Sequence, residues 1–246
     1  MRLPETDALP RFEPRPKPAL VRAWGRVLDL VFPPRCVACD AFGAFICPRC
    51  QVEMVPAEGP RCETCWMPLD AKAACRRCWA HRPRLHGVRS AFVYEAAARE
   101  AVLALKFRGL AAIAPIMARP MAAVLAEWQP PVACIVPVPL SGRRRRQRGY
   151  NQAEVLASEI SRLTGIPLER RALGRRHQPH PQARTMGDAR WQNVARVFRP
   201  GKHVPSGPVL LVDDVITTGA TLDAAARVLL SGGARPVFAL TFARED

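Results

Sequence analysis

The chain has 246 residues, 49% of them hydrophobic, so it can bury a core, and global disorder is excluded. Lys and Arg total 37 against 21 acidic residues, a formal net charge of +16. This excess indicates either a polyanionic partner or only the Arg-rich usage of a GC-rich coding sequence. A run of about 18 apolar residues is absent from the sequence, which argues against membrane insertion.

The first 34 residues predict a tail followed by a short helix. Residues 1–18 are rich in Pro and charge and lack the apolar core of a signal peptide, so we expect disorder there. Residues 19–32 carry apolar side chains at helical spacing, and Pro33-Pro34 would end that helix. Without an export signal we expect a cytoplasmic protein, and a reducing compartment favours metal ligation by closely spaced cysteines over disulfides.

Residues 35–82 predict a double zinc ribbon. Four C-x-x-C pairs supply eight thiolates, enough for two tetrahedral zinc ions. Sequential pairing of neighbouring pairs is the first choice, and crossed pairing stays open. An iron–sulfur cluster, metal-free sites and redox pairs are the alternatives to zinc. The predicted ligands are Cys36, Cys39, Cys47, Cys50, Cys62, Cys65, Cys75 and Cys78.

Residues 86–246 alternate between strand-like and helix-like segments, which predicts an α/β domain with a parallel twisted sheet flanked by helices. The helical segments follow periodic apolar residues, and the strands are short apolar runs. Predicted strands cover Val88–Tyr94, Val132–Val138, Val209–Val212 and Pro236–Phe242. Predicted helices cover Ala96–Phe107, Ile113–Trp128, Asn151–Leu163 and Ala220–Leu230.

The segment Val209–Leu222 carries the most specific ligand-binding pattern. Four apolar residues predict a buried strand, and Asp213 and Asp214 follow at its carboxyl end, where parallel sheets bind ligands. The turn Thr217–Thr221 then opens a helix, whose first N–H groups and neighbouring hydroxyls can bind a phosphate. A ribose 5-phosphate offers both hydroxyls for the acids and a phosphate for the turn.

A second candidate binding segment is basic. Val136–Pro139 ends a predicted strand and leads into Arg143–Arg148, which we expect to be a loop. Arg makes bidentate contacts to phosphate oxygens, so this loop can bind pyrophosphate. A solvated surface loop is the alternative. Lys106 is a further candidate contact to pyrophosphate, and its alternative role is that of a cation favoured at a helix end.

These segments resemble known proteins. Val209–Leu222 is similar to the phosphoribosyl pyrophosphate (PRPP) motif of type I phosphoribosyltransferases. The V-P-V-P and R-G-Y-N-Q stretches, Lys106–Gly109 and Gln182–Asn193 resemble the ComF family, although that family's Leu in the last stretch is replaced in the region of Ala183 and Met186. The resemblance implies a type I phosphoribosyltransferase fold and binding of PRPP with Mg²⁺.

The resemblance also implies roles for individual residues. Asp213 and Asp214 would hold the ribose hydroxyls. Lys106, Arg143 and Arg148 would contact the pyrophosphate. The 5-phosphate would be held by Thr217, Thr218, Gly219, Ala220 and Thr221.

Two functions follow. In one, the chain is a phosphoribosyltransferase that displaces pyrophosphate from PRPP in favour of an unknown acceptor, with no catalytic base identified. In the other, which we favour, it is a PRPP-binding module that handles single-stranded DNA during natural transformation, with a competence helicase as a partner. Arg144, Arg145 and Arg146 are the predicted nucleic-acid contacts, and Tyr150 is either a base-stacking aromatic or a core or hinge aromatic.

Overall fold

A computed structural model describes residues 33–70, 74–176 and 197–246. The predicted tail and helix before residue 33 lie outside the described residues, as does the family-like stretch Gln182–Asn193. Within the described ranges, no helix has the length and apolar character needed to cross a membrane.

The described helices confirm the predicted ones and add three short ones. Four long helices match the apolar periodicity to within about two residues, with a single 3₁₀ turn at Ala111–Ile113 before the second of them. The helices are α1 Pro48–Val52, α2 Arg76–His81, α3 Ala96–Phe107, α4 Ala114–Trp128, α5 Gly142–Arg148, α6 Gln152–Thr164 and α7 Ala220–Ser231.

Four strands form one parallel sheet in the order β1-β6-β5-β2, and two more form a small antiparallel pair, β3-β4. The pair β3-β4 was not predicted, since its strands have three residues each. The bounds are β1 Gly87–Val93, β2 Cys134–Pro137, β3 Leu173–Arg175, β4 Phe198–Pro200, β5 Val209–Ile216 and β6 Val237–Arg244.

The side chains of strand β5 show that the sheet is covered on both faces. Its side chains alternate, so Leu210 and Val212 join the core beneath α3, α4 and α6, whereas Val209 and Leu211 join the core beneath α7. All four are fully buried, and each contributes about 1.5–3 kcal/mol through removal of apolar surface from water. The continuous apolar run in the sequence is therefore the signature of a central parallel strand.

The strand is longer than predicted. Pairing of β5 with β6 continues through Asp213↔Thr241 to Ile216↔Arg244, whereas pairing with β2 stops at Pro137↔Val212. The two acids therefore lie within β5 rather than after it. Polar residues were not predicted to continue a strand, but the backbone ladder to β6 extends it.

The cysteine-rich segment is a structural repeat. In each half, a C-x-x-C turn sits inside a one-bridge hairpin, Arg35↔Phe42 or Arg61↔Pro68, and the residue after the second Cys has positive φ, Asp40 or Trp66. The third Cys of each half is then the N-cap of a short helix, α1 or α2. Cys36, Ile46 and Cys50 pack into the core under α3 and α4, so the first half is joined to the sheet domain by burial.

Candidate functional site

The candidate site is a cleft at the carboxyl edge of the sheet. Because all strand pairs of the main sheet are parallel, the carboxyl ends of β2 and β5 lie at the same edge of the sheet. Helix α5 follows β2 in the chain, and the turn into α7 follows β5. Predicted site residues Lys106, Asp213, Thr217, Gly219 and Thr221 line the cleft. The complete lining is Lys106, Asp213, Val215, Ile216, Thr217, Gly219, Thr221 and Leu222.

The turn into α7 has the geometry of an anion-binding helix N-terminus. Gly219 is the N-cap with φ of +79°, a left-handed conformation that favours glycine, and Ala220 begins the helix. Thr218 Oγ1 accepts a hydrogen bond from the Ala220 N–H at 3.4 Å, while the Gly219 carbonyl accepts one from Asp223 N–H. The positive end of the helix dipole thus meets the cleft beside two Thr side chains.

The two acids differ in environment. Asp214 is almost fully buried, and its Oδ1 lies 2.9 Å from Lys106 Nζ. Asp213 lines the cleft, and its Oδ1 accepts a hydrogen bond from the Asp214 N–H at 2.9 Å. Successive strand side chains point to opposite faces, so one carboxylate is available to a ligand and the other anchors Lys106 from α3.

The carboxyl group of Asp213 has a raised pKa. Desolvation raises the pKa of Asp213 to about 7, and repulsion by the Asp214 carboxylate adds to the rise, while Lys106 and Arg175 lower it. The folded protein therefore binds a proton at this position at pH values where the unfolded chain, with an Asp pKa of about 3.9, does not.

This shift predicts a pH dependence of stability. Between about pH 4 and pH 7 the folded state retains the Asp213 proton and the unfolded state loses it, so the free energy of unfolding falls as pH rises through this window. The slope cannot exceed about 1.4 kcal/mol per pH unit because the two states differ by at most one proton at this position. Urea unfolding of the parent and of Asp213→Asn between pH 5 and 8 measures it. Parallel curves for the two proteins would contradict the assignment.

The arginine-rich segment is a helix, not the predicted loop. In α5, Ser141 Oγ accepts a hydrogen bond from Arg144 N–H at 3.4 Å, and Gly149 ends the helix with φ of +80°. Apart from the helix propensity of Arg and Gln, these cap residues are the helix signals of the segment, which has no apolar face and therefore no hydrophobic periodicity. Four exposed cations follow each other on this helix: Arg143, Arg144, Arg145 and Arg146.

Arg148 points from α5 toward the acids. It donates a hydrogen bond to Gln152 Oε1 at 2.9 Å, and its guanidinium lies 4.9 Å from the centroid of the Phe107 ring. Burial lowers the pKa of Arg148, whereas attraction to Asp214 raises it. Lys106 and Arg148 thus both approach the acid pair, while Arg143 remains exposed on α5.

The aromatic residues near the site divide into two kinds. The Tyr150 hydroxyl donates to the Leu105 carbonyl at 2.6 Å, and the residue packs against the main core, which is the packing of a core aromatic. Phe107 is 69% exposed, next to Lys106 in the chain, and was not predicted as a contact residue. The position of Phe107 at the end of an amphipathic helix was the signal in the sequence that could have predicted its exposure.

Two other arginines near the cleft escaped prediction. Arg175 of β3 donates to the Pro139 carbonyl at 3.4 Å, and burial lowers its pKa while Asp213 raises it. Arg77 of α2 donates from Nη1 to the Thr217 carbonyl at 2.9 Å. In a chain with so many arginines, no local signal distinguishes these two.

The cysteines form two groups of four, in the sequential pairing. Within each group the four sulfurs lie within 4.8 Å of one another. The sulfurs of Cys39 and Cys47 are 3.6 Å apart, as are those of Cys62 and Cys78, and those of Cys65 and Cys75 are 3.5 Å apart. Tetrahedral Zn²⁺ with Zn–S bonds of about 2.3 Å requires sulfur separations of about 3.8 Å, so both groups fit one zinc ion each.

Comparisons with known proteins agree with these two sites. A family model described as a double zinc ribbon domain matches residues 27–79. Competence protein ComFC of Bacillus subtilis (strain 168) is 30% identical over 196 residues, which cover 76% of this chain and 79% of that protein.

Two shorter matches have related names. Competence protein F of Haemophilus influenzae is 36% identical over 106 residues, 42% of this chain and 46% of that protein. DNA utilization protein YhgH of Escherichia coli (strain K12) is 35% identical over 103 residues, 42% of this chain and 45% of that protein.

Proposed function

Because this chain belongs to the ComF family of competence proteins, we propose that it acts in DNA uptake in the cytoplasm, binding PRPP with Mg²⁺ at the turn between β5 and α7 and single-stranded DNA beside it. The names of the relatives, competence protein and DNA utilization protein, support the role in handling DNA.

One observation carries the PRPP proposal: a single segment joins a cleft-lining carboxylate to a helix N-terminus rich in hydroxyls. Asp213 can accept hydrogen bonds from ribose hydroxyls, and the N–H groups after Gly219 can bind the 5-phosphate. Lys106 also lines the cleft, 2.9 Å from Asp214, where it can face the pyrophosphate. Mg²⁺ would be bound mainly by oxygens of PRPP itself, as is usual for this ion.

Calorimetric titration tests the proposal. The zinc-loaded protein is titrated with PRPP in Mg²⁺, with ribose 5-phosphate and pyrophosphate as partial ligands. We expect one PRPP per chain and weaker binding of each partial ligand, because each fills only part of the site. Equal affinity for PRPP and pyrophosphate would contradict a role of Asp213 and the turn into α7.

The exposed cations of α5 support the proposed contact with single-stranded DNA. Positively charged grooves bind the backbone of single strands, and aromatic rings beside them stack on bases. Phe107, with Arg148 at 4.9 Å from its ring, supplies such a ring next to α5. Eight thiolates and two Zn²⁺ sum to a charge of about −4, which leaves a net charge of about +12 for attraction of a polyanion.

Replacing Arg144, Arg145 and Arg146 with Ala is expected to weaken single-stranded DNA binding and to flatten its salt dependence. Each lost phosphate contact removes about 0.7 from the slope of log K against log salt, so the slope falls by up to about 2. Fluorescence anisotropy of a labelled oligo-dT between 50 and 300 mM salt measures both.

The control removes the same charge elsewhere. Arg49, Arg99 and Arg162 are exposed on α1, α3 and α6, and their triple Ala variant should keep a slope closer to that of the parent. Identical slopes for the two triple variants would mean that net charge, not α5, governs DNA binding.

The position of Asp213 in the cleft favours a second candidate function, transfer of ribose 5-phosphate to an acceptor. A cleft-lining carboxylate whose pKa desolvation raises to about 7 is suited to accept a proton at physiological pH. Release of pyrophosphate from PRPP, assayed with purine and pyrimidine bases as acceptors, tests this function. PRPP binding without acceptor-dependent release would exclude those bases as acceptors and leave the binding function.

A further inference from the structure

The second cysteine group, Cys62, Cys65, Cys75 and Cys78, is fixed to the carboxyl edge of the sheet. Arg244, the last residue of β6, is fully buried and donates to the Cys65 carbonyl at 2.7 Å and to the Met67 sulfur. Arg61 pairs with Asp246 at 2.8 Å. The Arg89 guanidinium of β1 lies 3.9 Å from the centroid of the Trp66 ring. This half of the cysteine module therefore packs on the sheet that carries the cleft.

One hydrogen bond from this half, and one from the segment that follows it, reach the turn into α7 and the first turn of that helix. Arg77, between Cys75 and Cys78, donates from Nη1 to the Thr217 carbonyl at 2.9 Å. Arg84 donates its backbone N–H to Asp223 Oδ1 at 2.6 Å, and Asp223 is buried in the first turn of α7. The two contacts hold Thr217, the first residue of the turn, and Asp223, just beyond its last residue.

The contact at Thr217 has a direct consequence for an anion in the cleft. Carbonyl oxygens repel an anion, whereas N–H groups attract it, so a turn that binds phosphate must keep its carbonyls engaged elsewhere. Arg77 supplies a charged donor for the carbonyl of a residue that itself lines the cleft. A turn held in this way before ligand binding avoids the entropy of ordering at the moment of binding.

The charge near Arg77 is balanced by the cysteine group. Arg61 and Arg244 both pair with Asp246, at 2.8 and 3.2 Å. Four thiolates with one Zn²⁺ carry a charge of about −2, which would offset these cations.

We propose that Arg77 is a positioning residue that holds the Thr217 carbonyl and thereby makes phosphate binding at the β5–α7 turn depend on the second cysteine group. The part of this proposal that concerns ligand affinity rests on the proposed PRPP function, whereas the order of the turn does not.

The test compares Arg77→Ala with Arg76→Ala in the full-length zinc-loaded protein. Arg76 is the exposed neighbour of Arg77, so both variants lose one positive charge beside Cys75. Hydrogen–deuterium exchange is followed in the ligand-free state for peptides covering residues 217–221. We expect faster exchange there in Arg77→Ala only, with two zinc ions per chain retained, and PRPP affinity reduced roughly 10-fold.

Each outcome decides between the proposals. Unchanged exchange at residues 217–221 in Arg77→Ala, or equal changes in both variants, overturns the positioning role. If the parent does not bind PRPP, the proposed function fails, while the exchange result still decides the role of Arg77. If Arg77→Ala loses zinc, the test is repeated with Arg77→Lys. A Lys variant that keeps both zinc ions and partly restores protection of residues 217–221 from exchange supports the proposal. A Lys variant that keeps both zinc ions but exchanges as fast as Arg77→Ala overturns it.

Discussion

Replacing Asp213 and Asp214 together with Asn is expected to abolish PRPP binding, with affinity reduced about 100-fold or more. This figure follows from the loss of two charge-assisted contacts, that of Asp213 with the ribose and that of Asp214 with Lys106, at about 1.5 kcal/mol each. Asp213 loses its accepting strength toward ribose hydroxyls, and Asp214 loses the charge that fixes Lys106 in the cleft. Calorimetry with PRPP and Mg²⁺ measures the change.

The single variants separate the two roles. Asp213→Asn weakens acceptance of hydrogen bonds from the ribose hydroxyls, so this variant should bind PRPP weakly. The substitution also removes a desolvated charge, so the variant should unfold no more easily than the parent at pH 7.5. Asp214→Asn leaves Lys106 without its carboxylate and should cost about 1–3 kcal/mol of stability as well. If both single variants bind PRPP as the parent does, neither acid contacts the ligand, and the ribose assignment is wrong.

Cys39→Ser and Cys78→Ser are each expected to reduce the zinc content from two ions per chain to about one. Each replaces one of four sulfur ligands in a different group. Structural zinc sites contribute folding free energy directly, about 10–16 kcal/mol of apparent binding in isolated zinc-finger peptides, so each variant should lose several kcal/mol of stability. Elemental analysis and thermal unfolding of protein purified without added metal measure these losses.

Cys134 provides the matched control. It is buried in β2, outside both groups, so Cys134→Ala should keep two zinc ions. The second group should also affect the cleft more than the first, since Arg77 lies between two of its ligands and contacts Thr217. A parent that holds one zinc ion or none would reject the two-site assignment outright.

Most helices and strands were predicted from local sequence patterns. The helix Ala96–Phe107 was predicted with its observed bounds because its apolar residues repeat at helical spacing and face one core. Helix α5 was mistaken for a loop since four of its five arginines face solvent and give no such repeat. Strand β5 was predicted too short because its last residues are held by the ladder to β6, which acts through the backbone and leaves little trace in side-chain type.

The candidate site was predicted where its residues are adjacent in the chain, and missed where they are not. The acids and the turn after them come from one continuous segment, so their chemistry could be read directly. Lys106 was predicted as a site residue from the resemblance of its segment to the ComF family, but its ion pair with Asp214 was not predicted. Arg175 and Phe107 were missed because their contacts, with the Pro139 carbonyl and with Arg148, depend on how β3 and α3 pack.

By itself, the sequence determined the parts of this protein that short-range chemistry controls: which segments are buried strands, where a helix N-terminus can bind an anion, and which cysteines can share a metal. The tertiary structure alone decided the strand order β1-β6-β5-β2 and the contact of Arg77 with Thr217, which are 140 residues apart. Periodicity, capping and ligand spacing act over a few residues, whereas crossovers and packing bring together groups whose local sequences carry no signal of each other.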